Sequence, residues 1–321
     1  MKRMMVLIAA VAAFGIAGAL AQDKTTRLSI GTGGTGGVYY PLGGGLAALI
    51  SKYVPGVEAT AEVTAGSIAN LQLIGGGKSE LAFTMADAAW DAANGLEKFK
   101  DAKVALRTLV VFYPNRMHVV TVEGTGINTM KDLKGRRVST GAPASGTEVM
   151  AMRLIEAYGL DPNKDMTRER LSVAESVNAL KDGKIDALFW VGGVPTPSIT
   201  DLAATPGKKI KLIDHGDGAE NMRKKYGPIY VKNRILANAY PGEARETTNV
   251  DVWNLIVVPE KADENLVYQI TKTLFEKKDE LVKVHKDAAF LDLANQVTGA
   301  SPIPFHPGAL RYLKERGVKA P

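Results

Sequence analysis

Five glycines fall within seven residues in the run Gly31-Thr32-Gly33-Gly34-Thr35-Gly36-Gly37-Val38-Tyr39-Tyr40-Pro41, and their chemistry is that of an anion cradle. Without Cβ atoms in the way, successive backbone N–H groups can approach a ligand. A helix opening at Val38 would add unpaired donors and the positive end of its dipole. The same letters fit G-x-G-x-x-G through Gly31, Gly33 and Gly36, with Glu58 and Glu62 where a dinucleotide site wants a ribose-binding acid. Two more polar groupings open predicted helices. Ser67 and Asn70 lie three apart and so share a face. Ser145-Gly146-Thr147-Glu148 spells a capping box, in which Ser145 and Glu148 satisfy backbone groups while other first-turn N–H groups stay free for a carboxylate. Trp190, closing an apolar strand, offers a flat wall with one donor or a core side chain. Tyr39 and Tyr40 point to different sides of their helix, and Tyr39 is placed at the ligand.

Enzyme chemistry finds little support. His118, His215, His285 and His306 are widely spaced and form no metal-ligand pair, and no serine lies in G-x-S-x-G or S-x-x-K. Gly77-Lys78-Ser79 is not a P-loop, because it follows a helix and precedes a strand. Arg116 and Arg153 are read as exposed or inter-helix charges, which leaves anion binding to N–H groups and hydroxyls. No cofactor or metal is expected.

These residues must be positioned by elements, and the elements repeat. Leu28-Ser29-Ile30-Gly31 is echoed by Val138-Ser139-Thr140-Gly141. The helix start at Ser67 is echoed by Ser176, and Gly77-Lys78-Ser79-Glu80-Leu81-Ala82-Phe83 by Gly183-Lys184-Ile185-Asp186-Ala187-Leu188-Phe189. Each half reads strand, helix, strand, helix, strand, a parallel α/β unit. The first is expected as strand 27–31, helix 38–53, strand 57–63, helix 67–76 and strand 80–84. Two strands follow within Arg107–Val122, then the second unit, a strand at Val252–Pro259 and one long helix from Asn265 to His285. Ligands of parallel sheets sit beyond the carboxyl ends of the strands. Two facing units would therefore line one cleft with Gly34 to Tyr39 and Asp87 from one side, and Ala142 to Thr147 and Trp190 to Pro195 from the other. The predicted organisation is a signal peptide at 1–21, one lobe of 22–122 plus 250–321, a second of 123–249, and a hinge of crossing strands near 121–124 and 248–252.

Lys2 and Arg3 before the apolar run Met4–Leu20, closed by Ala19-Leu20-Ala21, mark a secretory signal cut after Ala21. Export argues against a nicotinamide cofactor. The chain of 321 residues has no cysteine, which excludes disulfides and thiol chemistry; with no lipobox cysteine a lipid anchor is not expected, and a free periplasmic protein is predicted. Its net charge of +6 comes from short basic groups interleaved with acids, which reads as solvated helix faces rather than a nucleic-acid surface.

Together the motifs resemble the TAXI family of solute receptors of TRAP transporters. The resemblance is carried by the glycine-rich run, Gly66-Ser67-Ile68-Ala69-Asn70-Leu71, Gly141-Ala142-Pro143-Ala144-Ser145-Gly146-Thr147-Glu148, Phe189-Trp190-Val191-Gly192-Gly193-Val194-Pro195 and Pro304-Phe305-His306-Pro307-Gly308-Ala309. It implies an α/β, two-lobed type II periplasmic-binding-protein fold. It also implies capture of a small carboxylate or amino acid such as glutamate or 2-oxoglutarate, and delivery to a TRAP membrane permease, separate or fused, by a monomer. It places Gly36, Gly37, Val38, Tyr39, Ser67, Asn70, Ser145, Gly146, Thr147, Trp190 and Gly193 at or near the ligand. Met85-Ala86-Asp87 stands where family members often carry Gln-Ser-Asp, which suggests a less polar pocket. The alternatives are a receptor for an ABC importer or a sensor and, more distantly, an exported NAD-dependent dehydrogenase.

Overall fold

The computed structural model describes residues 25–297 and 299–319; the expected signal peptide lies outside the described residues. The first repeat folds as β1 (Thr26–Gly31), α1 (Tyr39–Tyr53), β2 (Val57–Glu62), α2 (Ser67–Gly75) and β3 (Leu81–Met85). Its strands pair in parallel in the order β2-β1-β3. α3 (Ala86–Asn94) and the long β4 (Leu106–Val122) follow. The second repeat is β5 (Arg137–Ser139), α4 (Gly146–Ala157), β6 (Thr167–Glu169), α5 (Val173–Lys181) and β7 (Ala187–Gly192), again parallel and again ordered β6-β5-β7. The sequence echo is thus a structural repeat, and each parallel triplet forms the sheet of one lobe.

After β7 come α6 (Pro197–Ala203), β8 (Ile210–Leu212), α7 (Gly218–Tyr226), β9 (Val231–Ile235) and β10 (Thr247–Pro259). The chain then closes on the first lobe with α8 (Glu264–Glu276), α9 (Lys278–Val284) and α10 (Pro307–Glu315). β10 runs antiparallel beside β3, β4 runs antiparallel beside β7, and the two pair with each other between the triplets. The resulting path is β2-β1-β3-β10-β4-β7-β5-β6.

Two expectations need correction. The two strands foreseen within Arg107–Val122 are one strand running through Pro114. Proline cannot donate to a ladder, and it is tolerated here because the β4–β10 register shifts beside it, opposite Trp253. β4 passes from β10 to β7 at Arg116, where it leaves one sheet for the other. The single helix foreseen from Asn265 to His285 breaks at Lys277, whose ψ of 17° departs from helical geometry, so that α8 and α9 both reach α1.

Apolar periodicity fills three clusters. Leu28, Leu42, Ile50, Val110 and Ile256 cover one face of the first sheet, and Val120, Val177, Leu188 and Ile199 one face of the second. The third is continuous from Leu71, Ala88 and Val111 to Met150, Leu154 and Phe189, so the lobes share a core on the remaining faces.

Candidate functional site

The carboxyl ends of β1, β3, β5 and β7 open onto one cleft of about 70 Å³ between the lobes. One water needs roughly 10–15 Å³ on the same measure, so a solute of several heavy atoms fits. The first lobe contributes Gly37, Val38 and Tyr39 at the start of α1, Gly66 and Ser67 at the start of α2, and Met85. The second contributes Ser145, Gly146 and Thr147 at the start of α4, Ser172 and Val173 at the start of α5, and Phe189 to Gly192 of β7. Four helix N-termini therefore turn their positive dipole ends to one cavity, with Ser145 capping α4 and a Ser172–Glu175 capping box closing α5.

Both lobes grip here. Gly66 and Gly146 face each other, and an added Cβ on Gly146 would lie 2.5 Å from Met85 Sδ and 2.7 Å from Ser67 Oγ. A Cβ on Gly37 would lie 2.8 Å from the Trp190 ring. Backbone bonds cross the mouth: Ala69 N–H donates to Ala144 O at 3.1 Å, and Ser198 N–H to Gly36 O at 3.2 Å. The lobes are closed on each other.

The predicted side chains divide between wall and frame. Tyr39 lies in the wall, its ring 5.2 Å from Phe83; its hydroxyl donates to Asn254 Oδ1 and accepts from Asn115 Nδ2, and burial pushes its pKa well above the ordinary phenol value. Ser67 Oγ accepts from Met85 N–H at 3.1 Å. Ser145 caps α4, accepting from Glu148 N–H at 3.0 Å and donating to Ala142 O at 2.7 Å. The other half of the foreseen capping box is replaced, because the Glu148 carboxylate turns to Arg170 at 3.1 Å. Thr147 Oγ1 accepts from Val191 N–H at 3.4 Å. Trp190 supplies the flat wall, but its indole N–H already donates to Thr196 Oγ1 at 2.8 Å.

Gly36, Asn70, Asp87 and Gly193 stand outside the wall. Asn70 is fully buried: Nδ2 donates to Thr32 O and Phe83 O, both at 2.7 Å, and Oδ1 accepts from Thr64 Oγ1 at 2.7 Å. Asp87 reaches across the lobes, accepting from Tyr230 Oη at 2.7 Å with Arg153 at 3.6 Å. Arg153 also holds Asp91 at 2.6 Å, so of the two expectations it is the inter-helix charge, buried between α4 and α3, and not the exposed one. Burial raises the Asp91 pKa to about 6 against the pull of Arg153. Gly193 backs onto a second tie, in which Asp287 accepts from Val194 N–H at 2.8 Å and pairs with Arg116 at 3.4 Å. The wall residue that sequence reasoning missed most completely is Tyr113, in the interior of β4. Its apolar neighbours disguise it as core.

Residues 30–317 match the model of the NMT1-like family. The chain belongs to this family. Among solved structures it resembles a protein of Bordetella bronchiseptica RB50 at 19% identity and a TM-score of 0.52, covering 91% of this chain and 89% of that one. It also resembles an ancestral arginine-binding protein bound to arginine, at 16% identity and a TM-score of 0.50, covering 82% and 98%. A Listeria monocytogenes protein assigned to an L-cystine ABC transporter is 18% identical with a TM-score of 0.50, over 81% and 94%. With the strand order above, these likenesses show the two-lobed type II periplasmic-binding-protein fold in this NMT1-like protein. Among the described residues no helix is long and apolar enough to cross a membrane, and no cluster of His, Asp or Glu is arranged to hold a metal.

Proposed function

We propose that this NMT1-like protein is the extracytoplasmic solute receptor of a membrane importer, closing over a small organic anion and presenting it to the permease. The observation that carries this reading is the cleft itself, walled from both lobes and approached by four helix N-termini. Gly37, Val38, Tyr39, Ser67, Ser145, Gly146, Thr147 and Trp190 contact the solute; Gly36, Asn70, Asp87 and Gly193 shape and close the walls. The lobes, 22–122 plus 250–321 and 123–249, rotate about β4 and β10, and ligand shifts the open and closed populations by as much as it prefers the closed one. Processing at Ala21 releases the protein to the periplasm.

The five motifs of the TAXI resemblance support a TRAP permease as the partner. A second reading, the receptor of an ABC importer, is favoured by the likeness to the L-cystine ABC transporter protein. The gene flanking this one distinguishes them, since a TRAP permease and an ATPase with its own permease share no subunit.

Thermal unfolding against a panel of amino acids, 2-oxo acids, dicarboxylates, nucleotides and NAD tests the receptor reading. A solute at a hundred times its Kd adds about 2.7 kcal/mol, which raises Tm by roughly 5–10 °C for lobes of this size. A shift with a small carboxylate is expected; a shift with NAD alone overturns the proposal.

A further inference from the structure

Gly193, Thr196, His285 and Asp287 stand outside the cleft wall, yet a run of hydrogen bonds joins them to it. The Trp190 indole, which lies in the wall, donates to Thr196 Oγ1 at 2.8 Å, and the Thr196 hydroxyl donates in turn to Gly193 O at 2.7 Å. Thr196 N–H donates to the Tyr240 hydroxyl at 3.0 Å, and that hydroxyl lies 2.8 Å from His118 Nε2. The direction of each bond is fixed. His118 Nδ1 faces Arg116 O at 2.9 Å, which can only accept, so Nδ1 carries the ring proton and Nε2 accepts from Tyr240. Thr196, Tyr240 and His118 are fully buried, and burial keeps the imidazole neutral. Trp190 is thereby joined to β4 where that strand crosses from one sheet to the other.

The same loop is held from the first lobe. His285 Nε2 donates to Pro195 O at 2.9 Å, while its Nδ1 accepts from Asp287 N–H at 3.2 Å. Asp287 accepts from Val194 N–H at 2.8 Å and pairs with Arg116 at 3.4 Å. A Cβ on Gly193 would lie 2.8 Å from Asp287 Oδ2 and 3.2 Å from both His285 Cε1 and Val38 Cγ1, so only glycine lets the loop and the first lobe meet this closely. The bonds from His285 and Asp287 to the loop break when the lobes part. The bond from Trp190 to Thr196 lies within the second lobe and persists.

Resting on the receptor reading, we propose that the Gly193–Thr196 loop is the fastening between the lobes: His285 and Asp287 grip its backbone, and Thr196 fixes it to Trp190. A solute that settles Trp190 then sets the loop for capture by the first lobe, which couples closure to occupancy. His285, Asp287 and Thr196 are positioning residues, since none of them lines the cleft.

Residue-resolved hydrogen–deuterium exchange on the mature protein, without added solute, tests the fastening. Ala69 N–H and Ser198 N–H are the reporters. Both lie in the first turn of a helix, where no helical carbonyl is available, and their acceptors, Ala144 O and Gly36 O, belong to the opposite lobe. Val54 N–H, bonded to Ile50 O at 2.9 Å within the first lobe, is the control. His285→Leu cannot donate to Pro195 O, and Thr196→Val cannot accept from Trp190. In each, exchange at both reporters is expected to quicken about tenfold while Val54 is unchanged. His285→Gln, whose amide can donate, is expected to bring the reporters back to within about threefold of the parent. Unchanged reporters overturn the inference, whether or not Val194 exchanges faster, because the contact is then local. An equal rise at Val54 overturns it as a loss of overall stability, and reporters already unprotected in the parent overturn it as well. A rise in His285→Leu without one in Thr196→Val overturns the coupling to Trp190. No solute enters the measurement, so its failure leaves the receptor reading to the thermal panel.

Discussion

Asn70 shows how a polar side chain beside a binding cavity can serve the backbone instead of the ligand. Its amide ties the loop after β1, through Thr32 O, to the end of β3, through Phe83 O, and takes a bond from Thr64. Gly31 leaves room for it: a Cβ there would lie 2.8 Å from Asn70 Oδ1. Asn70→Ala removes both amide bonds and the acceptor of Thr64 Oγ1, leaving Thr32 O only its bond from Thr64, and each buried group left unpaired costs about 1–3 kcal/mol. Chemical denaturation of the ligand-free variant is therefore expected to show a loss of about 2–4 kcal/mol. A stable variant with a purely binding defect would return Asn70 to the ligand. Trp190 behaves differently, because its ring lies in the wall while its N–H is held by Thr196. Its contribution to a solute is shape and apolar contact, not hydrogen bonding.

At the scale of elements, the N-terminus of α4 closes against that of α2 with nothing but glycine between them. Gly146→Ala places a methyl group 2.5 Å from Met85 Sδ and 2.7 Å from Ser67 Oγ, a clash across the closed lobes. Alanine is also the better helix former by roughly 1 kcal/mol, so the separate lobes tolerate it. The expected outcome is an unfolding free energy within about 1 kcal/mol of the parent, with solute affinity lowered at least 100-fold; unimpaired binding would mean that the helix starts do not close this tightly. The repeated unit was legible in the chain, because the echo of Val138–Gly141 on Leu28–Gly31 and the serine-led helix starts encode it and, with it, which strand ends face the cavity. The middle of β4 was not legible. Pro114 reads as a break in isolation and is accommodated only by a register shift that depends on β10, more than a hundred residues later. The same non-local pairing brings Tyr113 to the cavity wall. Arg153 is the inter-helix charge the sequence allowed, but neither its partners nor those of Arg116 were legible, because their carboxylates lie far away in the chain and an isolated arginine in an apolar stretch gives no sign of burial.

Across the whole molecule, buried titratable groups set how folding responds to acid, and they oppose one another. Burial lowers the pKa of His118 to about 3 and that of His215 to about 4. It raises Asp91 and Asp251 to about 6. A histidine whose folded pKa is depressed contributes stability above its unfolded value near 6.5, and loses it as pH falls because the unfolded chain takes the proton first. An aspartate whose folded pKa is raised does the reverse, contributing most below about 3.9 and losing that contribution as pH rises through 6. Between pH 6 and 4.5 the unfolded chain binds protons at the two histidines while the folded protein binds them at the two aspartates, so the number taken up is nearly equal and these four groups leave stability almost flat. The carboxylates held low by partners, such as Asp186 against Arg137 and Glu156 against Lys225, act below this window. Asp251, on β10 at the crossing with Arg116, is the cleanest place to break the balance, since Asn233 and Asn249 donate to it and it does not line the cavity. Asp251→Asn removes one compensating proton from the folded state. Its unfolding free energy should then fall by about 1.4 kcal/mol for each pH unit between 6 and 4.5, while the parent changes little. Denaturation midpoints measured across that range decide it: parallel curves for parent and variant would show that Asp251 is already ionised in the folded protein. On the proposed receptor reading, a flat acid response keeps solute-driven closure from being superimposed on acid-driven unfolding.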